Sequence, residues 1–492
     1  MNHHFKLKGL SALIFFLFFI SSAWPSDFDV EVDEFFSAWD KADSPGCAVA
    51  VVKDGQIVYK NGYGMANLEL GVPITPMSVF YIGSVSKQFV AMCVVLLADE
   101  GKLSLDDDIR KYVPEMPDYG TPITIRHLIH HTGGIRDYLE LENIAGIPFG
   151  TYHEQDALDL IIHQRELNFK PGEENSYSNS GYFLLGVIIK RASGKSLREF
   201  AQENIFNPLG MKNSRFHDDY MELMKNRATG YYDVGKGNYR NFVSTFDCVG
   251  SGGLFTSVED LFFWDQNFYH HKVGGEDVIE LMHTQGVLNN GKKLDYAFGL
   301  VIGEYRGLRI VEHGGSLGGY RAELLRFPDQ RFSVIILSNL SSFVPSELTR
   351  RVADIYLVDE FKEDKPEPER RTVKKTETFD VPEERLKEYA GKFQSEEIQA
   401  GVEIVVKEGK LDMRRQGGQD MPLQAIAEDR FRARGLIIQF IRNEKNEVTG
   451  IRLSSSRVRN LLFRKQEGGQ PLILDMSNSY LARYRTWPPT MV

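Results

Sequence analysis

The 492-residue chain predicts a mixed α/β body followed by a small closed β-barrel. Three observations carry this. Strand patterns stand at both ends of the first 360 residues with helices between them, so the end strands can meet in one sheet flanked by helices. A Pro-, Glu- and Lys-rich stretch then interrupts the apolar patterning, as an interdomain linker does. Beyond it come short strands separated by turn residues.

Taken in order, the N-terminus has basic Lys6 and Lys8, an apolar run from Leu10 to Ile20, and small residues Ser21 and Ala23 at a cleavage spacing. Residues 1–23 therefore read as a secretory signal peptide, the run being too short for the ~20 apolar residues that span a bilayer. The body is expected over 27–360. It opens with CAVAVVKDGQIVYKNGYG, two β-branched runs joined by Lys53, Asp54 and Gly55 as a hairpin. VSKQFVAMCVVLLADEGK follows, a helix apolar on nearly every face and so internal, which Gly101 can close. Residues from Asp106 to Phe268 read as helices and loops forming a helical subdomain, including a helix from Gly181. Strand patterns return at AFGLVIGEY, LRIVEH, YRAELLRF and RFSVIILSN, with Pro328, Asp329 and Gln330 turning the last pair. The linker is placed at 361–383, the barrel at 384–466, and 467–492 is a tail without a clear signal.

Composition narrows the function classes. A content of 42% hydrophobic and 12% aromatic residues describes folded domains with sizeable cores. A net charge of -10, with C-terminal arginines alternating with apolar residues, argues against a nucleic-acid partner. Three widely spaced cysteines make no disulfide framework, and Cys47 and Cys93 read as small buried hydrophobes.

Two serines compete as nucleophile. Gly314, Gly315, Ser316, Leu317 and Gly318 spell G-x-S-x-G, but that elbow needs a helix after the serine and a histidine further on. A strand pattern follows Gly319, and the chain has no histidine after His313. Ser84 stands at the start of a helix with Lys87 one turn later on the same face, so the amine reaches the hydroxyl. Apolar neighbours disfavour the ammonium form and make the amine a usable base. A second element, Tyr177 with Asn179, supplies a phenol that relays a proton and an amide that contacts a substrate carbonyl, although a turn of small polar residues would look the same. In the third, a strand delivers His313, Gly314, Gly315 and Ser316. Its glycines let a substrate backbone lie close, and the Ser316 amide can face an oxyanion.

In this order the three elements resemble the serine β-lactamase and penicillin-binding protein superfamily, in the branch of class C β-lactamases, D-Ala-D-Ala carboxypeptidases, D-aminopeptidases and related esterases. The resemblance covers roughly residues 30 to 355 and includes ITIRHLIHHTGGIRDY, FNPLGMKNS and GSGGLFTSVEDL. It implies a β-lactamase/transpeptidase-like fold with Ser84 as the acylated serine and Lys87 and Tyr177 as the proton-transfer pair. Asn179 becomes the substrate-amide contact, and the amides of Ser84 and Ser316 the oxyanion hole. His313 stands where class C enzymes carry the lysine of K-T-G, and Gly314 replaces the threonine. A histidine of ordinary pKa, about 6.5, anchors a substrate carboxylate weakly at neutral pH, so esters, amides or N-terminal D-residues are expected over β-lactams.

Competing motifs point to packing. His127 and His131 have H-x-x-x-H spacing, but Leu128 replaces the glutamate of zincin chemistry. Asp106 to Asp108 read as capping residues, and Gly194, Lys195 and Ser196 lack the first glycine of a P-loop. No metal or cofactor is expected. The expected activity is an exported, periplasmic or secreted serine hydrolase acting through an acyl-enzyme on a small-molecule or peptide substrate, peptidoglycan-derived peptides among them. The alternatives are a β-lactamase proper, or a non-catalytic peptidoglycan-peptide binding module on the same fold. No membrane span is expected to survive signal cleavage, and the oligomeric state is left open.

Overall fold

The computed structural model describes residues 27–147, 150–151, 153–364, 379–415 and 420–466. The expected signal peptide, the tail and most of the linker lie outside the described residues.

The end strands do meet. Six antiparallel strands lie in the order Val301–Tyr305, Leu308–Leu317, Tyr320–Phe327, Phe332–Ser338, Cys47–Lys53 and Gln56–Tyr63, so Cys47 pairs with Ser338 across nearly the whole body. The CAVAVV run lacks alternation because both faces of its strand are covered. Ala48, Ala50 and Val52 enter the core shared with the helix Lys87–Asp99. Cys47, Val49 and Val51 enter a second core under the helices Asp27–Phe36 and Pro345–Tyr356.

The expected turns form for local reasons. Asp54 and Gly55 both have positive φ, 51° and 78°, as a two-residue hairpin loop requires. At the end of Lys87–Asp99, Gly101 donates to the Ala98 carbonyl and Lys102 to Leu97, so Gly101 closes the helix as expected. The helix expected from Gly181 starts two residues earlier and runs Asn179–Ser193. The strand expected from Ala297 starts only at Val301. Gly299 turns there with φ of 70° to pack against the backbone of Lys87 and Gln88. A small sheet of Phe80–Tyr81, Leu254–Thr256 and Arg215–Phe216 also forms, the last two strands within the stretch expected as helices and loops, and all three are too short to show a period.

The C-terminal strands close into an eight-stranded antiparallel barrel, from Gly391–Ser395 to Leu461–Lys465. Phe393, Ile404, Met413, Phe431, Ile438, Ile451 and Phe463 are buried, while Arg430 and Arg432 alternate with Phe431 and Ala433 toward solvent. The barrel docks on the body through polar groups. Arg136, fully buried, pairs with Glu397 at 2.7 Å and donates to the Arg459 carbonyl at 3.1 Å. The Asn168 side chain donates to the Arg457 carbonyl at 2.8 Å and accepts from the Arg459 amide at 2.7 Å.

Among the described residues no helix is long and apolar enough to cross a membrane. The competing motifs resolve into local bonds. His127 Nδ1 accepts from the Thr124 amide, Asp108 accepts from Arg110 to start a short helical turn, and Asp106 pairs with Arg126. Gly194 closes one helix and Ser196 caps the next. Cys47, Cys93 and Cys248 are free and buried.

Candidate active site

Ser84 lies in a short 3₁₀ turn, Gly83–Ser86, that leads directly into the buried helix Lys87–Asp99. Lys87 thus points back at Ser84 from one turn away, and its Nζ lies 3.0 Å from Ser84 Oγ. Nζ also donates to Asn179 Oδ1 at 3.0 Å and to the Ser251 carbonyl at 2.5 Å. Three acceptors match the three protons of an ammonium. As a neutral amine, Lys87 keeps two of these bonds and turns its lone pair to the serine hydroxyl. Complete burial lowers the Lys87 pKa to about 7, with Asp137 raising it and Arg457 adding to the fall.

The helix Asn179–Ser193 delivers Tyr177 and Asn179 at its start. Asn179 is held by Asp137, whose Oδ2 accepts from its backbone amide at 2.6 Å and its side chain at 2.8 Å. That orientation fixes Asn179 Oδ1 toward Lys87. The Tyr177 ring lies against Lys87 Nζ, 4.9 Å from its centroid, and packs at a tilt against His131 with centroids 4.2 Å apart. Its Oη is enclosed beside Ser84 but makes no hydrogen bond of full geometry among the described residues. Burial raises the Tyr177 pKa, while the Ser84 side chain and Arg457 oppose the rise.

The strand Leu308–Leu317 closes the site. Gly83, at φ of 55°, and Gly315 let its backbone press against the Ser84 turn. A Cβ on Gly83 would sit 2.4 Å from the Ser316 nitrogen, and one on Gly315 only 1.9 Å from the Ile82 carbonyl oxygen. Both glycines are therefore required to bring the amides of Ser84 and Ser316 to one place. The strand Val301–Tyr305 pairs only as far as Glu312, so residues 313–317 form an open edge facing the cleft.

Ser84, Tyr177, Asn179, His313, Gly315 and Ser316 all line one cavity of about 760 Å³, with Lys87 buried beneath. His313 differs from expectation. Its Nδ1–H donates to the Gly314 carbonyl at 2.7 Å and its Nε2 accepts from the Tyr296 hydroxyl at 3.0 Å, so both ring nitrogens are engaged within the protein. Burial, then repulsion by Lys87, lowers its pKa to about 4. The ring is thus neutral in mildly acid solution as well as at neutral pH.

Sequence reasoning missed Ser251, Asp137 and Arg457. The first two lie inside segments the resemblance had already covered, GSGGLFTSVEDL and ITIRHLIHHTGGIRDY. Arg457 comes from the barrel and had no signal in the chain. Its guanidinium lines the cavity 5.0 Å from the Tyr177 ring centroid and 3.9 Å from Asp137.

A serine hydroxyl bonded to a buried lysine amine, beside an antiparallel sheet with a glycine-rich open edge, defines a serine hydrolase. Residues 32–357 match the family described as Beta-lactamase, and the chain belongs to that family. It is 34% identical over 306 residues to penicillin-binding protein 4* of Bacillus subtilis, covering 59% of this chain and 67% of that one. It is 30% identical over 296 residues to a D-aminopeptidase of Gluconobacter oxydans, covering 60% of this chain but only 56% of that relative's length. Among solved structures, the octameric penicillin-binding protein homologue of Pyrococcus abyssi superposes with a TM-score of 0.61 at 27% identity, covering 88% of this chain and 99% of that one.

Proposed function

We propose that this chain is an exported serine hydrolase that forms an acyl-enzyme on Ser84 and cleaves D-amino-acid peptides or amides, or small esters. The observation that carries the mechanism is the 3.0 Å contact between Ser84 Oγ and an amine whose pKa is brought down to about 7. Ser84 Oγ attacks the carbonyl carbon and its proton passes to Lys87. The oxyanion is held by the amides of Ser84 and Ser316, and Asn179 contacts the substrate amide. Tyr177, with its enclosed hydroxyl, relays that proton from Lys87 to the departing amine or alcohol and leaves Lys87 neutral again. Water then attacks the acyl ester, with Lys87 again taking a proton, and Ser84 is restored. The D-aminopeptidase relatives favour a D-residue on the acyl side. Export rests on the Leu10–Ile20 run with its small residues at 21 and 23.

The alternative is a binding module on the same scaffold. A fluorescent phosphonate distinguishes the two when the labelled peptide is mapped and D-alanyl anilide hydrolysis is followed. Label on Ser84 with turnover is the expected result. An unlabelled Ser84 overturns the proposal.

A further inference from the structure

The Ser84 cavity does not stop at the edge strand. A second cavity of about 420 Å³ adjoins it, and His313, Gly314 and Glu323 line both. Glu323 sits on the neighbouring strand opposite Gly314. It alternates with Leu324 and shares a face with Leu325, so it belongs to the side of the sheet covered by Pro345–Tyr356. Its carboxyl reaches the cleft only because residue 314 has no side chain. A Cβ there would lie 2.9 Å from Glu323 Oε2.

Glu323 is 5% exposed, yet its carboxyl has neither a hydrogen bond nor an ion pair among the described residues. The nearest cation is occupied elsewhere, because Arg350 Nη2 binds both carboxyl oxygens of Glu312 at 2.7 and 2.8 Å. With that pair neutral, Glu347 leaves the second cavity negative, and Glu323, whose pKa burial raises to about 8, adds its charge when an ammonium takes the place of its proton. A buried carboxyl with unused acceptors is costly unless a ligand supplies donors. An ammonium supplies both donors and opposite charge, whereas a carboxylate is repelled. The side of the cleft where relatives would place a lysine and a threonine here presents a neutral, fully bonded histidine, a glycine and an acid.

We propose that Gly314 and Glu323 form a subsite of the Ser84 cleft that receives a primary ammonium on the leaving portion of the substrate. The inference rests on Ser84 being the nucleophile, and it makes amine-bearing leaving groups the preferred class and carboxylate-bearing ones the poorest.

The test uses three aryl phosphonates whose leaving phenol carries a para aminomethyl, hydroxymethyl or carboxylate group. The rate of Ser84 modification is divided by each reagent's own hydrolysis rate. The full-length protein is expected to favour aminomethyl over hydroxymethyl by roughly tenfold or more, the range of a hydrogen bond to a charged group, with carboxylate last. Glu323→Gln should collapse the aminomethyl preference. Gly314→Ala, which pushes the carboxyl away, should do the same if the first variant folds poorly. Labelling without an ammonium preference, or a preference that survives both substitutions, overturns the subsite. No labelling of Ser84 by any reagent overturns the nucleophile assignment itself, so the two failures are distinct.

Discussion

At the scale of single residues, Lys87 is the group on which the proposed mechanism turns. Its spacing from Ser84 and its apolar surroundings are written in the chain, and the lowered pKa follows from burial. Ser84→Ala should lower turnover by up to about a million-fold, the cost of removing a member of a catalytic unit, while Ser316→Ala, which keeps the amide N–H, should be mild. Hydrolysis of a p-nitrophenyl ester by both variants checks this, and comparable losses would contradict the assignment. Activity needs the neutral amine, so kcat/KM should rise with pH through about 7. Arg457 contributes to the low value, so Arg457→Gln should move that acid limb to higher pH. A limb that stays in place would show that the guanidinium does not act on the pair. His313 was legible as a position but not as an environment. Its bonds to Tyr296 and Gly314, absent from any local pattern, remove the weak cation its ordinary pKa implied.

At the scale of elements, the site depends on a strand lying against a turn with no side chain between them. Gly315→Ala should force the edge strand off Ile82 and cost roughly 10² to 10³ in turnover, the range for losing one oxyanion donor. Circular dichroism and phosphonate labelling rates would separate that from unfolding. The strand pairing of Gly314 with Glu323 yields a second expectation. Burial raises the Glu323 pKa from 4.5 to about 8, so the folded state holds a proton that the unfolded chain has released. Stability from this group is present in full below about 4.5 and is lost as pH rises toward 8. Glu323→Gln should therefore gain melting temperature relative to wild type as pH increases across that window. A difference that is flat in pH would refute it. The hairpin, the buried helix Lys87–Asp99 and the end strands were legible because period and turn chemistry are local. The strand start at Val301 was not, because Gly299 is committed to a contact with the distant Lys87 backbone.

At the scale of the whole molecule, the barrel completes the cleft. Glu397→Ala leaves the buried Arg136 with only the more distant Glu166 carboxylate, at 3.7 Å, and should cost up to about 3 to 5 kcal/mol, measurable by urea unfolding. A truncation ending at Asp364 removes both Glu397 and Arg457, and the product should lose activity even if some remains soluble. A fully active fragment would show the docking to be incidental. By itself, the sequence determined the α/β class, the closed barrel and the one-turn pairing of Ser84 with Lys87, on which the proposed choice of Ser84 over Ser316 rests. Each of these rests on spacing within one element or on the order of elements along the chain. The tertiary structure alone decided the hold of Asp137 on Asn179, the neutralised His313, the approach of Glu323 past Gly314 and the entry of Arg457 from the barrel. These join residues tens to hundreds of positions apart or set the burial around a side chain, and such relations exist only once the chain has folded.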